Sequence, residues 1–307
     1  MPRFRCLDCR KTFSEQTFRH DYRDRRPEVN ARLFQMLISG VGLRQSGRIL
    51  GLGVSSVQRK FRKLGRTCRA LHDNLSRRLP EGREYLLDEE ESYETLAIRP
   101  LTVPILIERE TWFAVSARAA PIRRLARRGS HRRRQQDRDE ALHGRRVDRG
   151  RECVQEVMLE LARRTSRAFV LDTDLKGSYV TLAKQVFAGR ARHRRTPGSD
   201  PRTPDNPLTP INVTITMLRD NCGRLRRKSW LVSKKCKFLE AQLAIFIVYR
   251  NYVRRRFNRD PEGVTSAVRL GLLERQLTAE DVVRWRQDWG PRSIHPVSRT
   301  GRQAVTM

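Results

Sequence analysis

Tyr85–Glu91, YLLDEEE, is a short apolar run that breaks into four consecutive acids. Bulky residues ahead of a block of charge predict a strand over Glu84–Glu89, with Asp88 at its end. The next runs, Leu101–Ile107 and Trp112–Ala117, are rich in Val, Ile and aromatic residues, with ERE at Glu108–Glu110 between them. They read as a hairpin that pairs with the first strand. Farther on, Val154, Val157, Met158 and Leu161 recur at helical spacing, and Ala168–Leu171 is a short buried strand running into Asp172 and Asp174. The order is strand, strand, strand, helix, strand, with a carboxylate at the end of the first strand and another at the end of the fourth. The fold class is α/β (or α+β), a mixed sheet with flanking helices.

Charge narrows the partners. The 307 residues hold 65 Lys and Arg against 34 Asp and Glu, a net charge of +31. Such a chain gathers polyanions whatever its fold, so nucleic acid is the expected partner. A hydrophobic content of 38% is low but sufficient for a sizeable core plus a small module. No apolar run approaches the roughly 20 residues that span a bilayer, and the start MPRFRCLDCRK lacks a signal peptide's apolar stretch. The expectation is a cytoplasmic protein with no membrane partner. Six scattered cysteines form no disulfide framework in a reducing compartment and are expected to be mostly free thiols.

The N-terminal residues 1–22 carry half of a metal site. Cys6 and Cys9 in RFRCLDCRKTF are spaced to place two thiolates on one zinc ion, with Phe4 and Phe13 to pack around the knuckle. A structural zinc needs four ligands, and no second Cys-x-x-Cys follows. Three readings stand: a zinc ribbon whose other knuckle lies outside this reading frame, an unmetallated pair, or a site completed by His20, with Cys68 the other nearby thiol.

From Pro27 to Gly65 the periodicity is helical, with Val29, Leu33, Met36 and Leu37 at three- and four-residue steps. LRQSGRILG and SSVQRKFRKLG follow, with Gly51–Gly53 between them, and predict a helix-turn-helix within residues 27–80. In that motif the second helix enters the major groove N-terminal end first. Ser55, Ser56, Gln58 and Arg59 are the candidate base readers, and Arg62 and Lys63 the candidate phosphate contacts. An ordinary helical hairpin with a basic solvated face is the alternative.

LDEEES, TDLKGSY and LRDNCGRLRRKSWLVSK resemble segments of DDE-type transposases of bacterial insertion sequences, most closely those of the insertion-sequence-one type. The resemblance runs from the cysteine pair to about Asn258. It implies a ribonuclease-H-like catalytic domain over residues 83–258, with a basic insertion near 123–151. It also implies binding of terminal inverted repeats and target DNA, a homo-oligomer on paired DNA ends, a nucleoid location, and Mg2+ or Mn2+ as cofactor. Asp88 matches the first family acid, and Asp174 the second, at the head of a TD-x-x-x-x-Y pattern completed by Tyr179; Asp172 is the fallback. Helix capping is the other role open to either aspartate of the pair. Converging carboxylates suit that chemistry because two divalent ions can serve the attacking and leaving oxygens of a phosphodiester. The third position departs from the pattern, placing Asn212 where the family has a glutamate. An amide oxygen can meet a hard cation but brings no charge. Arg219, two helical turns on, falls where the family carries a basic residue facing DNA. A catalytically inactive relic or repressor that binds without cutting is the alternative function.

The remaining segments are read by charge. Arg224, Arg226, Arg227 and Lys228, then Lys234, are expected to form a phosphate-binding ridge on a helix. Glu89, Glu90 and Glu91 read as a solvated acidic edge. Arg123–Arg151 and Arg190–Pro207 read as basic segments that stay mobile until DNA neutralises them. Phe238–Tyr252 is apolar on nearly every turn and should lie in the core. In the tail, residues 259–307, Thr278 and Asp281 resemble a capping box, the helix should close at Trp289–Gly290–Pro291, and residues 297–307 are expected to be disordered.

Overall fold

A computed structural model gives the fold, described for residues 2–201, 203–226 and 230–287. A two-stranded hairpin comes first, β1 (Phe4–Arg5) against β2 (Thr12–Phe13), closed by stacking of Phe4 on Phe13. Three helices follow, α1 (Asn30–Ile38), α2 (Leu43–Leu50) and α3 (Val54–Leu75). Gly51 ends α2 in the left-handed region, φ 63°, which a glycine adopts without steric cost. Gly47 faces that turn so closely that a β-carbon there would lie 2.8 Å from the Leu52 carbonyl oxygen. The α2–turn–α3 unit therefore has the expected helix-turn-helix order.

Helix α3 does not stop at Gly65 but runs on to Leu75. Its second half packs on α8 (Cys236–Val248), and a β-carbon on Gly65 would sit 2.7 Å from that of Ala241. Gly65 is thus a close-approach point between helices rather than a boundary.

The large sheet holds β3 (Glu84–Tyr93), β4 (Pro100–Glu108), β5 (Ala114–Ala117), β6 (Ala120–Pro121), β7 (Phe169–Thr173) and β8 (Ala191–Arg195). The strand order is β5-β4-β3-β7-β8, with β6 paired to β4. Strands β3, β4 and β5 are antiparallel neighbours, whereas β7 lies parallel to both β3 and β8. Helices α4 (His131–His143), α5 (Gly150–Arg164), α6 (Gly177–Phe187) and α7 (Thr209–Asn221) occur between and after the strands, and α9 (Ser266–Arg269) and α10 (Ala279–Arg284) close the described chain.

Two hydrophobic clusters sandwich the sheet. Tyr85, Leu87, Phe169 and Leu171 point into one with α1, α3, α5 and α6, and α10 joins it through Val282. Leu86, Val103 and Ile105 point into the other with Ile211, Ile215 and Leu218 of α7 and Leu243 of α8. The period-two alternation along β3 thus assigns each acid a face: Asp88 and Glu90 go with Leu86 toward α7, and Glu89 goes with Leu87 toward α6.

Several expectations are corrected. The first strand continues through the acid block, because each glutamate in it has a cationic partner. The basic segment Arg123–Arg151 contains α4, held by Arg99 on Asp139 and Arg123 on Glu140, and capped by Ser130 accepting the Arg133 N–H. The segment Arg190–Pro207 contributes a sheet strand, β8. The ridge after α7 is a single 3-10 turn, Gly223–Leu225. Arg227, Lys228 and Trp289–Met307 lie outside the described residues. The capping box at Thr278–Asp281 is present as read, opening α10. No described helix is long and apolar enough to cross a membrane.

Candidate acidic site and DNA-facing residues

The last paired position of the parallel β3–β7 ladder is Leu87 opposite Thr173. The next residues along the two chains are Asp88, midway along β3, and Asp174, just past the C-terminal end of β7, so the register brings the two sequence-nominated acids to neighbouring positions where the β3–β7 ladder ends. In sheets of this kind that edge is where ligands sit, outside the carboxyl ends of the strands. Asp88 accepts the Glu89 N–H at 2.7 Å, and Asp174 accepts the Lys176 N–H at 2.9 Å just ahead of α6.

Glu89 holds the floor of this corner. Its carboxylate accepts the Tyr179 hydroxyl at 2.7 Å, the Lys176 ammonium at 2.5 Å and the Thr102 hydroxyl at 2.5 Å. Burial first, and then the charges of Glu89, Asp88 and Asp174, push the Tyr179 phenol well above its ordinary range, so it stays a proton donor. The tyrosine that completes TD-x-x-x-x-Y is therefore a strut tying α6 to β3. Its partner was missed in the sequence, because Glu89 looks like one charge in a solvated run. Glu90 on the other face is only 3% exposed and takes a bidentate hydrogen bond from Arg219. Glu91 pairs with Arg124. The solvated acidic edge is instead three separate ion pairs.

Asp172, the fallback second acid, is spent elsewhere. It is 2% exposed, sits opposite Leu86, and accepts from Arg194 at 2.8 and 2.7 Å and also from Arg109. Burial raises its pKa, but the hydrogen bonds and charges of Arg194 and Arg109 prevail and hold it below the usual carboxylate range. Glu84 joins the same two arginines, closing a four-membered network.

Asn212 is half-buried on α7, and its side chain makes no hydrogen bond to a described residue. Among the described residues, no group of three or more His, Cys, Asp and Glu is assembled to hold a metal ion. Two carboxylates side by side fit part of a magnesium site, since that ion commonly takes one or two carboxylates and completes its shell with phosphate and water.

The cysteine pair lies in the turn between β1 and β2, where the Cys6 N–H donates to the Lys11 carbonyl at 2.9 Å. Cys6 is drawn below its ordinary thiol pKa by the backbone N–H groups of Cys9 and Asp8, with a further contribution from the Cys9 thiol. Arg10, just past the second cysteine, is left-handed at φ 55°. Donors aimed at one sulfur favour the thiolate that zinc requires. The proposed third ligands do not join them. His20 is buried with Nδ1 2.8 Å from the Thr67 hydroxyl, and burial pulls its pKa down to about 4. Cys68 is buried in the core.

The helix-turn-helix residues divide. Ser55, Arg59 and Arg62 are exposed, and Ser56 and Gln58 are half-buried, with Arg59 3.3 Å from the Ser56 hydroxyl. Lys63 turns inward to the Tyr22 carbonyl at 2.6 Å. Of the later basic residues, Lys234 and Arg226 are exposed. Arg224 is not a ridge residue. Its guanidinium lies 5.1 Å from the Phe61 ring centre and 5.6 Å from that of Phe238, and burial lowers its pKa to about 10. Arg219, expected to face DNA, is committed to Glu90. No family model matches the chain.

Proposed function

We propose that the chain binds duplex DNA through the α2–α3 unit and acts on phosphodiester bonds at the Asp88–Asp174 edge, as a transposase of the DDE type would at the ends of an insertion sequence. The observation that carries this reading is the register that sets Asp88 beside Asp174. The path β5-β4-β3-β7-β8, with β7 and β8 parallel to β3 and β4 antiparallel to it, supports a ribonuclease-H-like sheet.

Within that reading the chain's own residues prepare the edge. Glu89, Tyr179 and Lys176 fix the start of α6 against β3, which sets the position of Asp174. Glu90 and Arg219 fix α7 over the other face beside Asp88. Magnesium or manganese held by Asp88 and Asp174 would supply activation of the attacking oxygen and stabilisation of the leaving one. Asn212 stands where a third acid would be. Zinc, if bound, would be held on this side by Cys6 and Cys9, and its role would be to stiffen the N-terminal hairpin.

A second reading is favoured by one observation: among the described residues, no group of three or more His, Cys, Asp and Glu is assembled to hold a metal ion. In that reading the protein binds the repeats and does not cut, as a repressor or a transposase relic. Cleavage of duplex carrying the repeats, with and without divalent ion, separates the two. The first reading expects ion-dependent cleavage that Asp174→Ala abolishes while binding persists. The second expects binding alone in both proteins.

A further inference from the structure

A cleft of about 710 Å³ opens between the first turns of α3 and the preceding Tyr22–Arg26 loop. Arg59, Arg62 and Arg66 line one wall, and Arg23, Arg25 and Arg26 the other. Asp24 is the acid in its lining, and it is already spent. It accepts the Lys60 ammonium at 2.9 Å and the Asn30 amide at 2.8 Å.

The loop is built, not merely basic. Lys60 is 4% exposed and donates to Asp24, to the Arg26 carbonyl at 3.0 Å and to the Asn30 side-chain oxygen at 2.9 Å. Lys63 holds the Tyr22 carbonyl from the next turn, and Arg26 reaches the Leu50 carbonyl at the end of α2. Arg23 and Arg26 are both left-handed, φ 55° and 56°, a conformation that non-glycine residues keep only where the surroundings fix it. Two lysines of α3 thus serve as ties that hold exposed arginines of another segment beside the helix.

We infer that this cleft is a phosphate clamp for one strand of duplex DNA, with Arg23 and Arg25 as backbone contacts and the Lys60–Asp24 pair as its positioning element. The inference rests on the proposed DNA-binding reading and extends it to a segment outside the helix-turn-helix. Duplex DNA is the partner the cleft fits because one wall is the helix whose first turn carries Ser55 and Ser56. A backbone seated in the cleft runs past that turn, and phosphate contacts set register where base contacts specify.

The test is the salt dependence of affinity of the full chain for a 30-base-pair duplex. Each phosphate contact contributes about 0.9 to the log–log slope and about fivefold in affinity at 0.15 M salt. Arg23→Ala/Arg25→Ala should therefore lower the slope by about 1.8 and weaken binding about thirtyfold. Arg163→Ala/Arg167→Ala removes the same charge from the end of α5 and the loop after it, and should cost much less. Asp24→Asn adds a positive charge to the balance yet unties the loop, so its affinity should fall. Equal losses in the two double variants, or tighter binding by Asp24→Asn, would overturn the clamp and leave only a net-charge effect. A loss confined to duplex RNA would overturn the choice of partner. An unmodified chain that binds no duplex with a steep slope would instead sink the proposed function itself.

Discussion

The two ends of the β3–β7 pair are both acidic, and they are built differently. Toward the N-terminal side, Glu84 at the first paired position and Asp172 at the third are locked by Arg109 and Arg194. At the C-terminal end Asp88 and Asp174 turn to backbone amides, while Lys176 and Arg219 are committed to Glu89 and Glu90. Asp172 and Asp174 stand two residues apart on one strand direction, so spacing does not tell them apart. Their partners do: Asp172 is held by two guanidiniums and contributes to folding, whereas Asp174 accepts the Lys176 backbone N–H at the head of α6.

The sharpest way to break this contrast is to remove the C-terminal acids. Asp88→Asn and Asp174→Asn should each reduce divalent-dependent cleavage by about a thousandfold or more, the equivalent of about 4 kcal/mol of barrier. Urea midpoints of the two variants should stay close to that of the unmodified chain. A large stability loss in either would erase the distinction between the ends.

The opposite outcome is expected at the other end. Arg109→Ala/Arg194→Ala leaves Asp172 buried without its cations, which should cost about 3–5 kcal/mol by urea unfolding. Asp172 then becomes easier to protonate, and part of the loss should return near pH 4.

Buried histidines extend the contrast to pH. Burial pulls His20 down to about 4 and His72 to about 3. Both folded values lie below the unfolded one near 6.5, so the unfolded chain binds more protons, and the stability is complete above pH 6.5 and lost as pH falls toward the folded values. At pH 5 each should cost about 2 kcal/mol relative to neutral pH. His20→Gln should remove about half of the combined loss in unfolding free energy between pH 7 and pH 5. A pH-independent unfolding free energy over that interval would show that both rings reach solvent.

The smallest effect probes the seam between the two halves of α3. An alanine normally favours a helix interior over glycine by about 1 kcal/mol. At Gly65 the added methyl meets Ala241, and overpacking of about 1–3 kcal/mol opposes it. Gly65→Ala should be net destabilising by about 1 kcal/mol in thermal unfolding, and a stabilised protein would mean that α3 and α8 sit farther apart.

Local pattern carried much of this molecule. The apolar run at Tyr85–Leu87, the apolar stripe at Val154–Leu161 and the Gly51–Gly53 turn are set by neighbours in sequence, and each marks an element that the structure has. What stayed hidden depends on distant partners. Glu89 needs Tyr179, Glu90 needs Arg219, and Asp172 needs Arg109 and Arg194, none of them nearby in the chain. Arg224 looks like its basic neighbours until Phe61 and Phe238 close on it. β8, ARHRR, has little apolar content to mark it, because only backbone pairing to β7 makes it a strand. Gly65 signals a stop and acts as a contact, a choice that only α8 decides.

Helix α3 is a rod of about 33 Å, given its 22 residues at a rise of about 1.5 Å each. One end faces outward with Ser55 and Arg59, and the other is bolted beneath the sheet by Gly65 on Ala241 and by Arg69 on Glu240. No hinge separates the part that would read bases from the body that carries Asp88 and Asp174. Such a rod acts as a ruler: under the proposed function, the phosphodiester presented to the acids lies at one fixed count of base pairs from the sequence that is read. Five extra base pairs, about half a helical turn, would turn that bond to the far side of the duplex.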